Sequence, residues 1–567
     1  MDQSFEDLGR RYVREFPELS PVGATVLGDH RFDSRLDELS PEARSKSVAM
    51  NRRYLEELSR IDRSRLSRPL QVDHALLEQS LRADLWRLET LKDWAWNPLL
   101  YTELAGSAVY GLMARDFAPL PRRLMHVADR LEQFPRLLEQ VRKTLVPRRV
   151  PQIHAETAVK QNRGVLGVVE QQVLPHLTDL PAADRQRLAT AIATARQAVE
   201  AHQTWLEQEL LPAAQADFRL GPQLFDQKLA FTLQTPLTRQ EIKDRAESEL
   251  RRARHEMYRL ALEVYRKKYP LTQIPAEPTR EYQQAIIRAA LEFACRETPP
   301  PDAIVETARD SLELTTQFIR QKDLLTLPDD PLEIIIMPEF QRGVSFAYCD
   351  APGALDAGQK TFYAVAPLPA DWTATQIESF LREYNLRSMH NLTIHEAMPG
   401  HFVQLAAANR NPNPLRAVLA SGTFIEGWAC YTEQMMAAEG FLDGDPLMRL
   451  VGLKWYLRTI GNALLDQAIH VDGMRRDEAL QLMIEETFQE EREAAGKWVR
   501  AQLTSTQLST YFVGVQEHLD LRRDAERAWG REFQLKRYHD QVISFGSPPV
   551  RFVRALLFDE PIPEAVR

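Results

Sequence analysis

The chain has 567 residues, of which 44% are apolar, and its formal net charge is −9 at pH 7. A chain of this length can bury a large core, and its length alone allows roughly two to four domains. Acidic and basic residues are interspersed without a basic stripe or tail, so the composition disfavours a nucleic-acid partner.

The N-terminal segment MDQSFEDLGRRYVREFPE is charged and has no apolar core, which is not the pattern of a signal peptide. No stretch approaches about eighteen uncharged apolar residues, so no membrane span or membrane partner is expected. Cys295, Cys349 and Cys430 form no C-x-x-C pair, which fits a reducing compartment and disfavours a cysteine-based metal site. We therefore expect a cytoplasmic protein; its oligomeric state is left open.

Helical periodicity dominates the first half of the chain. Apolar residues recur at three- and four-residue spacing and predict helices over 48–92, 121–145, 183–212 and 237–268. The last segment contains TRQE (238–241), which is the pattern of a capping box.

Three short segments of β-branched and aromatic residues interrupt the helical pattern and predict two or three strands. They are LEIIIMPEF (332–340), VSFAYCD (344–350) and FYAVAPLP (362–369). A small sheet at this point could hold an extended peptide by strand addition at its edge. A hairpin that caps the helical body explains the same pattern equally well.

The rest of the chain is helical again, and we expect one mostly α assembly with soft divisions. Provisional regions are 1–230, a connecting region 231–330 and a catalytic region 331–567, although one continuous domain fits as well. Helices are predicted over 375–387, 388–408, 415–439, 446–471, 475–502, 506–523, 525–543 and 548–558.

The segment HEAMPGH (395–401) begins like the zinc-peptidase motif H-E-x-x-H, but Pro399 stands where the second histidine belongs. In a regular helix, residues six apart lie about 120° apart and about 9 Å along the axis. Two nitrogens that must each lie about 2.0–2.1 Å from one zinc ion cannot meet that way. His395 and His401 can therefore bind one metal only if the helix is broken between them.

Pro399 and Gly400 supply such a break. Proline lacks an N–H, and its ring would collide with the carbonyl of His395, whereas glycine leaves the backbone free to change direction. We therefore predict a kink or bulge that returns His401 to the face of His395. The alternative is a helix end whose histidines are caps or solvated side chains.

A third ligand is expected downstream, because catalytic zinc sites commonly combine two histidines with a carboxylate. Glu426 lies among apolar neighbours in FIEGWACYTEQM, where a carboxylate is costly unless it is paired or binds a metal. A salt bridge to an arginine is the alternative. Glu433 lies two turns further on the same face and is a candidate hydrogen-bond partner for a ligating histidine.

With HEAMPGHFVQ followed by EGWACYTE, the sequence resembles the DUF885 family of predicted bacterial zinc metallohydrolases, over nearly the whole chain. That family looks like a distant relative of the gluzincin peptidases, which are mostly helical with a deep cleft. The resemblance implies such a fold, with His395, His401 and Glu426 as ligands of one Zn²⁺ and Glu396 as general base. A site of this composition also suits other divalent ions.

Further family-like segments add candidate residues. LLDQAIH, RAQLTSTQLSTYFVG and RYHDQVISFGSPP match family patterns at Asp466, His470, Arg500, Gln507, Tyr511, Gly514, His539 and Asp540. Tyr511 and His539 are candidate donors to a tetrahedral oxyanion, and Arg500 could hold a substrate carboxylate through two hydrogen bonds. A core tyrosine, a satisfied histidine and a solvated arginine are the alternatives. Glu433, Asp466, His470 and Gln507 are second-layer or substrate-binding candidates.

Three departures from the family pattern concern the substrate pocket. Phe402 replaces a histidine, Ser505 and Thr506 replace an expected Pro-Gly pair, and Asn462 stands where an arginine is expected. None removes a proposed ligand, but each could alter specificity.

The leading interpretation is a zinc-dependent peptidase that acts on short peptides as a carboxypeptidase, dipeptidase or oligopeptidase. An alternative is a metal-dependent amide hydrolase of a specialised metabolite. A second alternative is a helical scaffold or binding protein without turnover, which the intact Glu396 disfavours.

Overall fold

The structure is a computed structural model, and it describes residues 1–338, 341–342, 345–356 and 358–566. The chain is 72% helix and 3% strand, which confirms the predicted mostly α class with a small sheet. No helix in these described ranges is long and apolar enough to cross a membrane.

The N-terminal part is entirely helical. Its helices are α1 (Asp2–Glu15), α2 (Pro21–Leu27), α3 (Pro41–Ser59), α4 (Arg68–Trp86), α5 (Leu99–Met113), α6 (Leu120–Leu131), α7 (Phe134–Thr144), α8 (Gln152–Asn162), α9 (Gly164–Gln172), α10 (Ala182–Trp205), α11 (Leu211–Ala213) and α12 (Gly221–Leu233).

The central part contains three helices and the sheet. These elements are α13 (Arg239–Lys268), α14 (Arg280–Cys295), α15 (Ile304–Lys322), β1 (Leu332–Ile336), β2 (Ala347–Asp350) and β3 (Thr361–Val365).

The C-terminal part is helical to its end. Its helices are α16 (Ala374–Glu383), α17 (Leu386–Glu396), α18 (His401–Asn409), α19 (Pro414–Val418), α20 (Gly422–Ala438), α21 (Phe441–Gly444), α22 (Pro446–His470), α23 (Arg476–Gln481), α24 (Glu491–Leu503), α25 (Leu508–Trp529), α26 (Leu535–Ser544) and α27 (Val550–Leu557).

Local sequence explains where several of these elements begin and end. Thr238 and Glu241 form the predicted capping box at the start of α13, with each side chain accepting from the other residue's backbone N–H. The predicted helix 48–92 is wrong as a single element, because the chain leaves the helix after Ser59 and starts α4 with Pro69 in its first turn. The predicted helix 121–145 is likewise divided, between α6 and α7.

The sheet has the strand order β1-β3-β2, with β1 parallel and β2 antiparallel to the central β3. β1 and β2 fall within segments predicted as strands, and β3 overlaps the third such segment but begins one residue before it. Residues 339, 340 and 344 of those segments lie outside the described residues. The Tyr363 hydroxyl of β3 lies 3.4 Å from the Thr393 hydroxyl of α17. The sheet therefore packs beside the helix that carries the first half of HEAMPGH.

The largest hydrophobic core joins α12–α15, the sheet and the C-terminal helices, from Phe225 to Val553. A second core lies among α5–α10 and includes Leu124, Phe134 and Val165. The three-part division of the chain stays a prediction, as does the deep cleft.

Candidate metal centre

The helix through HEAMPGH is broken, as predicted. Helix α17 ends at Glu396 and α18 begins at His401. Between them, the backbone N–H groups of Ala397 and Met398 both donate to the carbonyl of Thr393, at 2.9 and 3.0 Å. The Met398–Pro399 peptide bond is cis.

Only glycine fits at position 400 of this turn. A Cβ on Gly400 would lie 1.9 Å from the carbonyl oxygen of His395 and 2.3 Å from that of Ile394. The turn is also held from α20, because the indole Nε1 of Trp428 donates to the carbonyl of Pro399 at 3.0 Å. Sequence reasoning missed this role of Trp428, although the residue lies inside the EGWACYTE segment.

The break brings both histidines to one carboxylate. The Nε2 atoms of His395 and His401 each lie 3.5 Å from Oε2 of Glu426, and the two rings are nearly perpendicular at 85°. Ligand atoms each about 2.1 Å from a tetrahedral ion lie about 3.4 Å apart, so these separations fit a shared metal.

Two polar atoms at this place are buried without a hydrogen-bond partner in the described part of the chain: Oε2 of Glu426 and Nδ1 of His401. Buried polar atoms are rarely left unpaired unless a ligand or ion uses them. Burial raises the pKa of the Glu426 carboxyl, but the adjacent imidazoles of His395 and His401 outweigh it and hold that pKa well below its usual range. Glu426 is thus a carboxylate facing two imidazoles.

His395 is oriented by a second carboxylate. Its Nδ1 lies 2.7 Å from Oε1 of Glu433, whose Oε2 accepts from Nδ2 of Asn391 at 2.6 Å. This pairing leaves Nε2 of His395 for the metal position and matches the hydrogen bond from a carboxylate that metal-binding histidines usually have. Cys430 also lies near His395 and Glu433, but Glu433 already uses the Nδ1 atom there. The placement of Glu433 is the one expected from its spacing.

Glu396 is buried beside this cluster, with only 7% of its surface exposed. Burial raises the pKa of Glu396, and the positive charge of His395 and His401 and the backbone amide of Cys349 act in the opposite direction. Strand β2, which carries Cys349, therefore borders the site. Sequence reasoning placed a strand here but missed its contact with Glu396.

Three other candidate residues meet one another at the edge of the cluster. Nη2 of Arg500 donates to the Tyr511 hydroxyl at 2.8 Å and to Oε1 of Gln507 at 3.0 Å, and Nε2 of Gln507 lies 3.2 Å from the same hydroxyl. The ring centres of Tyr511 and His395 are 6.4 Å apart. Burial raises the pKa of Tyr511, so the phenol stays protonated and can donate a hydrogen bond.

The prediction that His539 donates to an oxyanion is wrong. Its Nδ1 lies 2.8 Å from the carbonyl of Leu324 and its Nε2 lies 2.7 Å from the Tyr431 hydroxyl, so both ring nitrogens are occupied. The side chain is completely buried, and burial lowers its pKa to about 3. His539 is a neutral core histidine, which was the alternative left open for it. The neighbouring Asp540 binds the backbone N–H and hydroxyl of Thr326.

Asp466 and His470 contact the chain next to Tyr511 rather than the triad. The Asp466 carboxylate accepts from the backbone N–H of Thr506 at 2.9 Å and from that of Ser509 at 3.1 Å. Nε2 of His470 lies 2.8 Å from the carbonyl of Thr504. These two residues hold the turn that leads into α25. Their predicted supporting role therefore concerns Arg500 and Tyr511 rather than the metal ligands.

Helices α20 and α25 approach closely through two glycines. A Cβ on Gly427 would lie 2.4 Å from the backbone of Gly514, and one on Gly514 would lie 2.2 Å from the carbonyl of Thr423. This contact holds α20, which carries Glu426, closely against α25, which carries Tyr511.

One comparison with known proteins identifies the family of this chain. The model of a family described as bacterial protein of unknown function, DUF885, matches residues 21–557. No protein of curated function matches the chain. A solved structure from Shewanella oneidensis, called a "putative lipoprotein of unknown function", is 32% identical with a TM-score of 0.80, and the match covers 98% of this chain and 99% of that one.

A second solved structure, called a "putative lipoprotein" from Colwellia psychrerythraea, is 18% identical with a TM-score of 0.78. The match covers 97% of this chain and 98% of that one, and at this identity it shows a shared fold. The family match extends over nearly the whole length and includes every residue of the candidate metal centre. The chain belongs to the DUF885 family.

Proposed function

We propose that this protein is a metal-dependent amide hydrolase, most simply a zinc peptidase that acts on short peptides in the cytoplasm. The observation that carries the proposal is the convergence of His395, His401 and Glu426 across a helix break that only glycine permits at position 400. The intact Glu396 beside them favours a hydrolase over a scaffold, because a scaffold has no use for a buried carboxylate between two histidines.

The donor set fits a zinc ion. Two imidazoles and one carboxylate form the common three-ligand set of catalytic zinc, which leaves a further position for water or substrate. The unpartnered Oε2 of Glu426 and the 3.5 Å separations support the same assignment. Manganese or cobalt would also suit these ligands.

The chain's own residues would divide the reaction as follows. A metal at the triad supplies Lewis-acid polarisation of the scissile carbonyl and makes water more acidic. Glu396 takes one proton from the attacking water as the new C–O bond forms. It then delivers that proton to the amide nitrogen as the C–N bond breaks, so the products are a carboxylic acid and a free amine. The protonated Tyr511 hydroxyl is placed to donate to the oxyanion.

A second candidate function keeps this chemistry but moves the amide bond into a specialised metabolite. The substituted pair Ser505–Thr506 favours it, because both side chains contact α12: Nζ of Lys228 donates to Ser505 at 2.6 Å, and the Thr506 and Thr232 hydroxyls lie 2.8 Å apart. The turn next to the Arg500–Tyr511 region is therefore joined to α12 by side-chain hydroxyls that a Pro-Gly pair would lack.

The test combines metal analysis with a substrate screen. The purified protein should contain about one zinc per chain and hydrolyse members of a mixed short-peptide library, and a chelator should abolish the turnover. Glu396→Gln should retain zinc and lose roughly 10²–10⁴-fold in turnover, the usual contribution of a general base.

Three results would count against the proposal. Absence of stoichiometric metal would favour the scaffold interpretation, full activity of Glu396→Gln would remove Glu396 as the base, and metal without peptide turnover would favour the metabolite amide. Cell fractionation tests the compartment, for which the names of the two similar structures suggest the envelope instead.

A further inference from the structure

Three buried or half-buried cations near Tyr511 outnumber the carboxylates with which they pair. Arg458, Lys497 and Arg500, here called the cation cluster, come from the packed helices α22 and α24. Nη2 of Arg458 lies 2.5 Å from Oε1 of Glu493, and Nζ of Lys497 lies 3.8 Å from the same oxygen. The Glu493 carboxylate is therefore shared by two cations.

The other nearby carboxylate is committed elsewhere. Oε2 of Glu383 accepts from Nζ of Lys454 at 2.7 Å, and Arg458 reaches its other oxygen only at 3.8 Å. Burial lowers the pKa of Lys497 well below its usual range, and the charges of Arg458 and Arg500 lower it further. This region of the interior is therefore short of negative charge.

Arg500 is the member of the cluster nearest the metal triad. In the described ranges it makes no ion pair: Nη2 donates to the neutral Tyr511 and Gln507, and Nε is buried without a hydrogen-bond partner. The neighbouring charge of Glu426 also acts on it. A buried guanidinium without a carboxylate is costly, and two of its N–H groups normally bind one carboxylate in a planar pair.

We propose that Arg500 is the receptor for a free carboxylate on the substrate, so that the enzyme selects amides whose leaving amine carries that carboxylate close to the scissile bond. The inference rests on the proposed function, because it takes the metal triad as the place of cleavage. Tyr511 connects the two ends of the site: its ring lies 6.4 Å from that of His395, and its hydroxyl lies 2.8 Å from Nη2 of Arg500.

These separations suit a short leaving group. One residue of extended chain spans at most about 3.3–3.6 Å, so a carboxylate one or two residues from the scissile carbonyl can reach Arg500. The expected substrates are peptides or acylated amino acids cut next to their C-terminus. Internal bonds of long chains present no main-chain carboxylate at that distance.

The test uses two matched libraries of N-acetylated dipeptides, one with free C-terminal carboxylates and one with C-terminal amides. The wild-type protein should hydrolyse the acids with a kcat/KM at least about 100-fold higher than the amides. Arg500→Gln should lower kcat/KM for the acids by about this factor, chiefly through KM, and thereby abolish the preference for acids over amides. Arg500→Lys, which keeps the charge but not the planar fork, should fall between.

Two controls separate recognition from general damage. Arg492→Gln changes an exposed arginine of the same helix α24, stacked 4.7 Å from the ring of Trp372, and should leave both libraries unaffected. Tyr511→Phe should lower the hydrolysis of both libraries, because the oxyanion donor is lost for acids and amides alike.

Each outcome bears on one proposal. Equal hydrolysis of acids and amides by the wild-type protein would overturn the carboxylate receptor and leave the hydrolase intact. If neither library is cut, the peptidase proposal fails, and the receptor is then decided by melting-temperature shifts of the wild-type protein with the same two libraries. Stabilisation of the wild-type protein by acids but not by amides, and its loss in Arg500→Gln, would support the carboxylate receptor. Equal melting-temperature shifts with acids and amides would overturn it.

Discussion

Helix α20 has two faces of opposite chemistry, and both contact histidines. On one face, Glu426 and Glu433 contact His395, with Cys430 between them. On the other face, Trp428 and Tyr431 pack against His518 and His539. Seven residues return a helix to nearly the same face, whereas two or five residues do not, so the EGWACYTE segment divides its side chains between the two.

The two faces differ in how their polar atoms are paired. On the aromatic face, both nitrogens of His539 are paired, and Nε2 of His518 lies 3.1 Å from the carbonyl of Phe424, whereas Nδ1 of His518 is buried without a partner. On the acidic face, Oε2 of Glu426 and Nδ1 of His401 are buried without partners. An unpaired ring nitrogen is therefore not in itself a sign of function, because both faces have one; the unpaired carboxylate oxygen beside two imidazoles distinguishes the acidic face.

The largest effect is expected from removing a ligand on the acidic face. Glu426→Ala or His401→Ala should weaken zinc binding roughly 100- to 1000-fold, if each ligand carries an equal share of the free energy typical of a zinc site. Elemental analysis and competition with a chelator measure this. His470→Ala, a buried histidine away from the triad, is the matched control and should keep its metal. Unchanged zinc affinity in both ligand variants would contradict the assigned site.

A smaller effect is expected from the residue that orients His395. Glu433→Gln removes the carboxylate that lies 2.7 Å from Nδ1 of His395 and should weaken zinc binding about 10- to 100-fold. The control is Glu439→Gln, at the C-terminal end of the same helix and outside the site. If both substitutions changed metal affinity equally, Glu433 would have no specific role.

On the aromatic face, the expected loss is in stability and not in metal binding. His539→Ala leaves the Tyr431 hydroxyl and the Leu324 carbonyl without their partner and opens a cavity, which should cost about 3 kcal/mol of unfolding free energy. Urea unfolding measures the loss, and the exposed His176→Ala is the control. If His539→Ala lost its zinc but kept full stability, His539 would have to be counted as part of the metal site.

The smallest effect concerns pH. Burial lowers the pKa of His539 to about 3 and that of His518 to about 4, whereas an unfolded histidine titrates near 6.5. Between these values the unfolded chain binds a proton that the folded chain does not, so stability is full above about pH 6.5 and falls as pH decreases. From about pH 7.5 to pH 5, His539 alone should cost about 2 kcal/mol.

The variant His539→Ala should lack the contribution of His539 to this pH dependence. Its unfolding free energy should therefore fall less than that of the wild type between about pH 7.5 and about pH 5. Unfolding free energies of the two proteins at each pH provide the measurement. Parallel curves would mean that His539 has the same pKa in the folded and unfolded states.

Much of the candidate site was predictable because its causes are local. The spacing of His395 and His401 required a helix break, and the proline and glycine between them indicated its position. The carboxylate Glu426 among apolar residues and the periodicity that pairs it with Glu433 were equally readable. By contrast, nothing local to His539 distinguishes a buried core histidine from an oxyanion donor, because the distinction depends on Leu324 and Tyr431, more than a hundred residues away.

The sequence by itself determined the mostly α class, the capping box of α13, the strands before the motif and the need for a break at Pro399–Gly400, since each follows from backbone sterics or from side chains a few residues apart. Only the tertiary structure decided which groups meet across the chain: Glu433 on His395, the Cys349 amide beside Glu396, and Arg500 on Tyr511. The first contact joins residues 38 apart in the sequence, the second joins residues 47 apart, and the third joins two successive helices. The packing of whole elements, rather than local preference, sets all three.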